Sequence, residues 1–80
     1  MDQPIIDFDE YKKKYRNRLV NLREDNDLTQ EYVAHVLGIR QNVYTRYEKG
    51  HHDLPLRHLI ALSVFYEVST DYILGLSDVK

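Results

Sequence analysis

All three glycines in the chain, Gly38, Gly50 and Gly75, fall just past the end of an apolar stripe at helical spacing. A glycine there readily takes the positive φ that caps a helix C-terminus, so the segments between these stops read as short helices. Upstream, Tyr11, Tyr15, Leu19 and Leu22 recur at the spacing of one apolar helix face. Asp9 is the expected N-cap of that first helix, which runs to about Asp25. Asn26 and Asp27, both tolerant of a left-handed backbone, turn the chain, and Leu28 packs beneath the turn. Thr29 caps a second helix with Gln30 and Glu31 in its first turn, a buried edge of Val33, Ala34 and Leu37, and Gly38 as its stop. The third helix runs from near Gln41 to Lys49 and closes at Gly50. After a loop from His51 to Leu54, Pro55 suits the first turn of a fourth helix carrying Leu59, Leu62, Ser63 and Tyr66 inward. Glu67 and Val68 connect to a short fifth helix, which Ser69 caps and Tyr72, Ile73 and Leu74 fill before Gly75. The expectation is an all-α fold of five helices.

A chain of 80 residues supports one small domain, because at this length only about 60% of the unfolded surface can be buried. Charged residues make up 30% of the chain in mixed sign, which is neither a disordered nor a membrane composition. No apolar run approaches the roughly 20 residues that cross a bilayer. Asp2, Asp7, Asp9 and Glu10 are the opposite of a secretory leader, so a cytoplasmic location is expected. With no cysteine there is no disulfide, thiolate metal site or cysteine nucleophile. His51 and His52 are neighbours whose side chains point apart, and neither they nor His58 have an acid spaced to complete a metal site, so no metal is expected. No glycine-rich phosphate loop, G-x-S-x-G turn or H-E-x-x-H helix is present, and the reading is of a protein that is not an enzyme and carries no cofactor.

The net charge is −2, but its distribution is uneven. Lys12, Lys13, Lys14, Arg16, Arg18 and Arg23 occur from Tyr11 to Arg23 without an acid, and cations outnumber acids from Arg40 to His58. A chain so polarised can meet phosphate with one face. The run Lys12 to Lys14 itself reads as a solvated helix face, with DNA contact as the alternative. At about 100° per residue, Val43, Tyr44 and Tyr47 point one way on the third helix, while Gln41, Asn42, Thr45, Arg46 and Lys49 spread over the opposite arc. Tyr44, Tyr47, Tyr66 and Tyr72 sit at core spacing. Two short helices about a glycine turn, the second with a polar outer face, form the unit that places a helix in the major groove.

The run LTQEYVAHVLGIRQNVYTRYEKG, residues 28–50, resembles the helix-turn-helix of the Cro and phage-repressor (XRE) family of bacterial and phage transcriptional regulators. LIALSVFYEVSTDYILGLSD, residues 59–78, is similar to the last two helices of the same domain. The resemblance implies a compact lambda-repressor-like DNA-binding domain over residues 11–78, with the helix-turn-helix at helices two and three and an acidic N-terminal extension at residues 1–10. It implies that Gln41, Asn42 and Arg46 face base edges with Thr45 assisting, chemistry in which a good bidentate pair discriminates by about 1–3 kcal/mol. It places Gln30 at the phosphate-contact position. Arg40, Lys49, His51, His52 and Tyr32 are further expected backbone contacts. It also pairs Arg23 with Glu48 as a structural ion pair.

The sequence departs from the family pattern at three positions. Arg40 stands where a serine or threonine usually caps the recognition helix, Asp27 replaces the glycine after helix one, and Tyr32 replaces the acid of a capping box. The implied partner is a palindromic double-stranded operator bound by a homodimer, with half-sites about 34 Å apart and a dimer contact at Tyr72, Leu74 and Leu76. Repression by blocking polymerase is the simplest output, with the protein nucleoid-associated when bound. The competing reading is a protein-interaction module or antitoxin-like partner, in which the acidic segment Asp2 to Glu10 grips another protein.

Overall fold

The computed structural model describes residues 5–80. Over them the chain forms α1 (Phe8–Asp25), α2 (Gln30–Leu37), α3 (Gln41–Lys49), α4 (Leu56–Tyr66) and α5 (Thr70–Leu74), with no strand among the described residues. The five-helix expectation holds. Residues 1–4 of the expected acidic extension, Asp2 among them, lie outside the described residues.

The helix ends follow local chemistry, with two corrections. The N-cap of α1 is Asp7, not Asp9: the Asp7 carboxylate accepts the backbone N–H of Asp9 at 3.0 Å. The earlier start brings Phe8 over Tyr15, their ring centroids 6.4 Å apart, and leaves Asp9 and Glu10 in the first turn, where the helix dipole favours acids. Pro55 is the cap residue of α4 and lies outside its first turn; its extended backbone offers the carbonyl to His58 and Leu59 and starts the helix there. Thr29 and Ser69 cap α2 and α5 as expected, each accepting a backbone N–H at 3.0 Å. Arg40 makes no side-chain cap bond to α3. Asp27 takes φ 55°, the left-handed turn read from its type, and Glu67 does the same at the end of α4.

The five largest fully buried side chains come one from each helix: Leu19, Val33, Tyr44, Leu62 and Ile73. No helix this short buries an apolar face alone, so they share one core. Tyr15, Leu22, Ala34, Tyr47, Leu59 and Val68 complete it, with Leu37, Val43, Tyr66 and Tyr72 half-buried at its edge. Helix α1 lies against both α3 and α5, α2 packs on α3, and α4 packs on α5 and α2. No helix among the described residues is long and apolar enough to cross a membrane.

Candidate nucleic-acid interface

Helix α3 presents two unlike faces. Tyr44 is fully buried and Tyr47 nearly so, their rings edge to face at 6.4 Å, and burial holds the Tyr44 hydroxyl well above its ordinary pKa. On the other side Gln41, Asn42, Arg46 and Lys49 are exposed, and together with half-buried Thr45 and exposed His51 they line one shallow groove. Arg40, exposed, precedes the helix, and exposed His52 follows His51. Both histidine amides bond back to the Arg46 carbonyl, which ties the loop after Gly50 to the end of α3. The exposed groups are amides and guanidinium, which hydrogen-bond to base edges, flanked by cations suited to phosphate.

This helix is fastened through its C-terminal half. Arg23 of α1 donates to Glu48 through Nε to Oε2 at 2.7 Å and through Nη2 to Oε1 at 3.1 Å, a bidentate ion pair. The two side chains are 15% and 4% exposed, so the carboxylate is buried and the guanidinium mostly so. Arg23 Nη1 also donates to the Leu28 carbonyl, holding the turn before α2. Gln30 Nε2 adds a third bond to the Glu48 carboxylate at 2.9 Å, and Thr45 Oγ1 donates to Gln30 Oε1 at 2.9 Å. Burial alone would push the Glu48 carboxyl up, but the bonds from Arg23 and Gln30 outweigh it and hold the group below its ordinary value. One residue further on, Arg16 Nη1 donates to the Lys49 carbonyl at 2.8 Å, satisfying one of the orphan acceptors of the helix C-terminus. Gly50 makes room for this: a Cβ there would lie 2.6 Å from Arg16 Cδ, and its φ of 79° is in the region glycine favours.

Several of these roles were not visible in the sequence. Arg16 looked like one member of a basic run, since nothing local marks it as facing the end of a helix far along the chain. Lys12 of that run pairs with Asp53 at 2.9 Å, while Lys13 and Lys14 are exposed. His58 is buried, its Nδ1 3.3 Å from the Tyr47 hydroxyl, and burial followed by the charge of Arg57 lowers its pKa. Tyr32 is half-exposed near Phe65, ring centroids 6.3 Å apart, on the flank of α2 that shares a shallow depression with Gln41.

At the opposite side, the Arg18 guanidinium lies 3.9 Å over the Tyr72 ring, and Arg18 donates to the Tyr72 and Ser77 carbonyls and to Asp78. Half-buried Leu74 and exposed Leu76 line an apolar groove with Ile6, Phe8, Tyr11 and Tyr15. Among the described residues no group of three His, Cys, Asp or Glu side chains is placed to hold a metal ion.

A helix-turn-helix family model matches residues 19–73, which span every element just described from the middle of α1 to α5. The chain is 44% identical over 64 residues to the Bacillus subtilis HTH-type transcriptional regulator YobD, an alignment covering 80% of this chain and 57% of that protein. It is 39% identical over 63 residues to the HTH-type transcriptional regulator ImmR of the same organism, covering 79% of this chain and 50% of ImmR. To the cryptic phage CTXphi transcriptional repressor RstR of Vibrio cholerae it is 37% identical over 54 residues, 68% of this chain and 49% of that one. The chain thus spans about half the length of the curated relatives it matches. No solved structure matches it significantly.

Proposed function

The chain belongs to the helix-turn-helix family, and from that membership we propose that it binds double-stranded DNA as a transcriptional regulator, with α3 in the major groove and repression as its output. One observation carries this reading: α3 exposes Gln41, Asn42 and Arg46 while its tyrosine side is buried and its C-terminal turn is held by Arg23–Glu48 and Arg16. A helix so held presents base-reading groups without having to order itself on binding. Gln41 and Asn42 read adenine and Arg46 reads guanine, with Thr45 beside them. Gln30, Arg40, Lys49, His51, His52 and Tyr32 meet the backbone, position the helix and make affinity fall steeply with salt.

The same reading makes residues 11–78 the binding domain, residues 1–10 its acidic extension, and the active species a homodimer on an inverted repeat in the cytoplasm. The dimer contact lies at and just beyond α5, through Tyr72, Leu74 and Leu76, where exposed Leu76 continues into the apolar groove of Ile6 and Phe8. A single domain makes few base contacts, and two-fold symmetry doubles them. The proposal gives the chain no catalytic role.

The test is selection of bound duplexes from a random-sequence pool. An enriched palindrome, changed or lost with Gln41→Ala or Arg46→Ala, is the expected result. Binding of no duplex, or binding indifferent to salt, would overturn the proposal and favour the interaction-module reading of this fold.

A further inference from the structure

Gln30 begins α2 with its carboxamide held between two side chains of α3, and the direction of each bond follows from chemistry. An ionised carboxylate only accepts, so Glu48 Oε1 takes an N–H from Gln30 Nε2 at 2.9 Å. The amide oxygen is left for the Thr45 hydroxyl, whose Oγ1 donates to it at 2.9 Å. Glu48 is itself fixed by two bonds from Arg23, so the orientation of the amide is set from α1 through α3. Accounting for the protons then constrains what each group has left to offer. Nε2 carries two hydrogens and Glu48 takes one; the Thr45 hydroxyl carries one, and Gln30 takes it. Half-buried Gln30 keeps a single uncommitted N–H, while half-buried Thr45 keeps lone pairs and a methyl group but no donor.

We propose that Thr45 is a positioning residue for Gln30: it holds the carboxamide oxygen so that the one remaining Nε2 hydrogen is presented to a phosphate oxygen, and it donates nothing to a base edge. The inference rests on the reading of α3 as the major-groove helix and assigns a different task to one residue on its face. Sequence preference then comes from Gln41, Asn42 and Arg46, and Thr45 contributes affinity through its neighbour.

The experiment measures binding of the full chain to its selected duplex and to an unrelated duplex at one salt concentration, per folded molecule, with the folded fraction read by circular dichroism. Thr45→Val keeps the shape and deletes the hydroxyl. It should weaken binding to both duplexes by the same factor, roughly three- to tenfold, the worth of one hydrogen bond. A repeat selection with Thr45→Val should return the same preferred sequence, and Thr45→Ser, which keeps the donor, should restore affinity. In a Gln30→Ala background Thr45→Val should have no further effect, because the group it holds is gone. A changed preference at one base position in the Thr45→Val selection, or additive losses in the double variant, would overturn the inference and leave the major-groove reading standing. If the unaltered chain selects no duplex, that reading fails and the inference falls with it.

Discussion

Two arginines of α1 each clamp a later helix, and they do so in different ways. Arg23 reaches α3 through a bidentate pair with Glu48 in which the carboxylate is buried, 4% exposed, and the guanidinium mostly so. Arg18 reaches the α5 end through Asp78 at 2.7 Å, but that aspartate is 99% exposed, and the rest of the grip is two carbonyls and the face of Tyr72. The ion-pair distances are alike, and burial is what separates the two junctions. A charge that has lost its water depends on its partner, whereas an exposed carboxylate returns to solvent at little cost. The helix proposed to read DNA is thus tied by a contact that is costly to break. The C-terminal helix is tied by one that is not, and there the surface is free to take up another role.

The largest expected effect is that of Glu48→Ala, which leaves the mostly buried Arg23 without its counter-charge and should destabilise the fold by about 3–5 kcal/mol in urea unfolding. A loss no greater than that of Asp78→Asn would erase the contrast between the two junctions. Arg46→Ala removes an exposed side chain and should leave stability nearly unchanged, yet cost about 1–3 kcal/mol of binding to the selected duplex and relax preference at one base pair. A matching loss on unrelated DNA would instead class Arg46 with the backbone contacts. Gly50→Ala puts a Cβ 2.6 Å from the Arg16 side chain at a positive φ, and a cost of about 1 kcal/mol is expected from the backbone alone. Arg16→Ala in the same background should recover part of it if crowding adds to that cost. Asp78→Asn, at the exposed junction, should shift stability by about 0–1 kcal/mol, with the shift vanishing in high salt.

Acidity probes two buried groups on the α3 side of that comparison. Glu48 has its folded pKa held below the ordinary 4.5, so the stability it confers is complete above that value and is lost as pH falls through the folded one. His58, lowered from 6.5 by burial and then by Arg57, is held neutral in the fold; its contribution is complete above 6.5 and declines as pH falls from there toward the folded value. The melting temperature should therefore begin to drop just below pH 6.5, and His58→Leu should remove that first drop while leaving the acid limb that Glu48 sets.

Much of the α2–α3 unit could be read directly. The stop at Gly38, the Thr29 cap, the left-handed Asp27 and the division of α3 into tyrosine and amide faces are local consequences of residue type and a period of 3.6. The N-cap of α1 lies two residues before the expected one because Asp7 and Asp9 are equally good caps in isolation; Phe8 meeting Tyr15 goes with the earlier one. Glu67 ends α4 in the left-handed region with nothing in its chemistry to announce it. The tasks of Arg16 and His58, and the engagement of Gln30 by Thr45 and Glu48, depend on groups far apart in sequence and left no local signal.

The order of residues by itself determined five short helices, the glycine stops of three of them, and which side of α3 is apolar, because caps and periodicity act within a turn or two of the chain. Only the folded arrangement decided which cations are spent inside the protein and which remain outside. Arg16, Arg18, Arg23 and Lys12 are committed to carbonyls and carboxylates, while Arg40, Arg46 and Lys49 stay exposed. A charge finds its partner through space, and burial sets the worth of the pair; neither is written in the spacing of the residues.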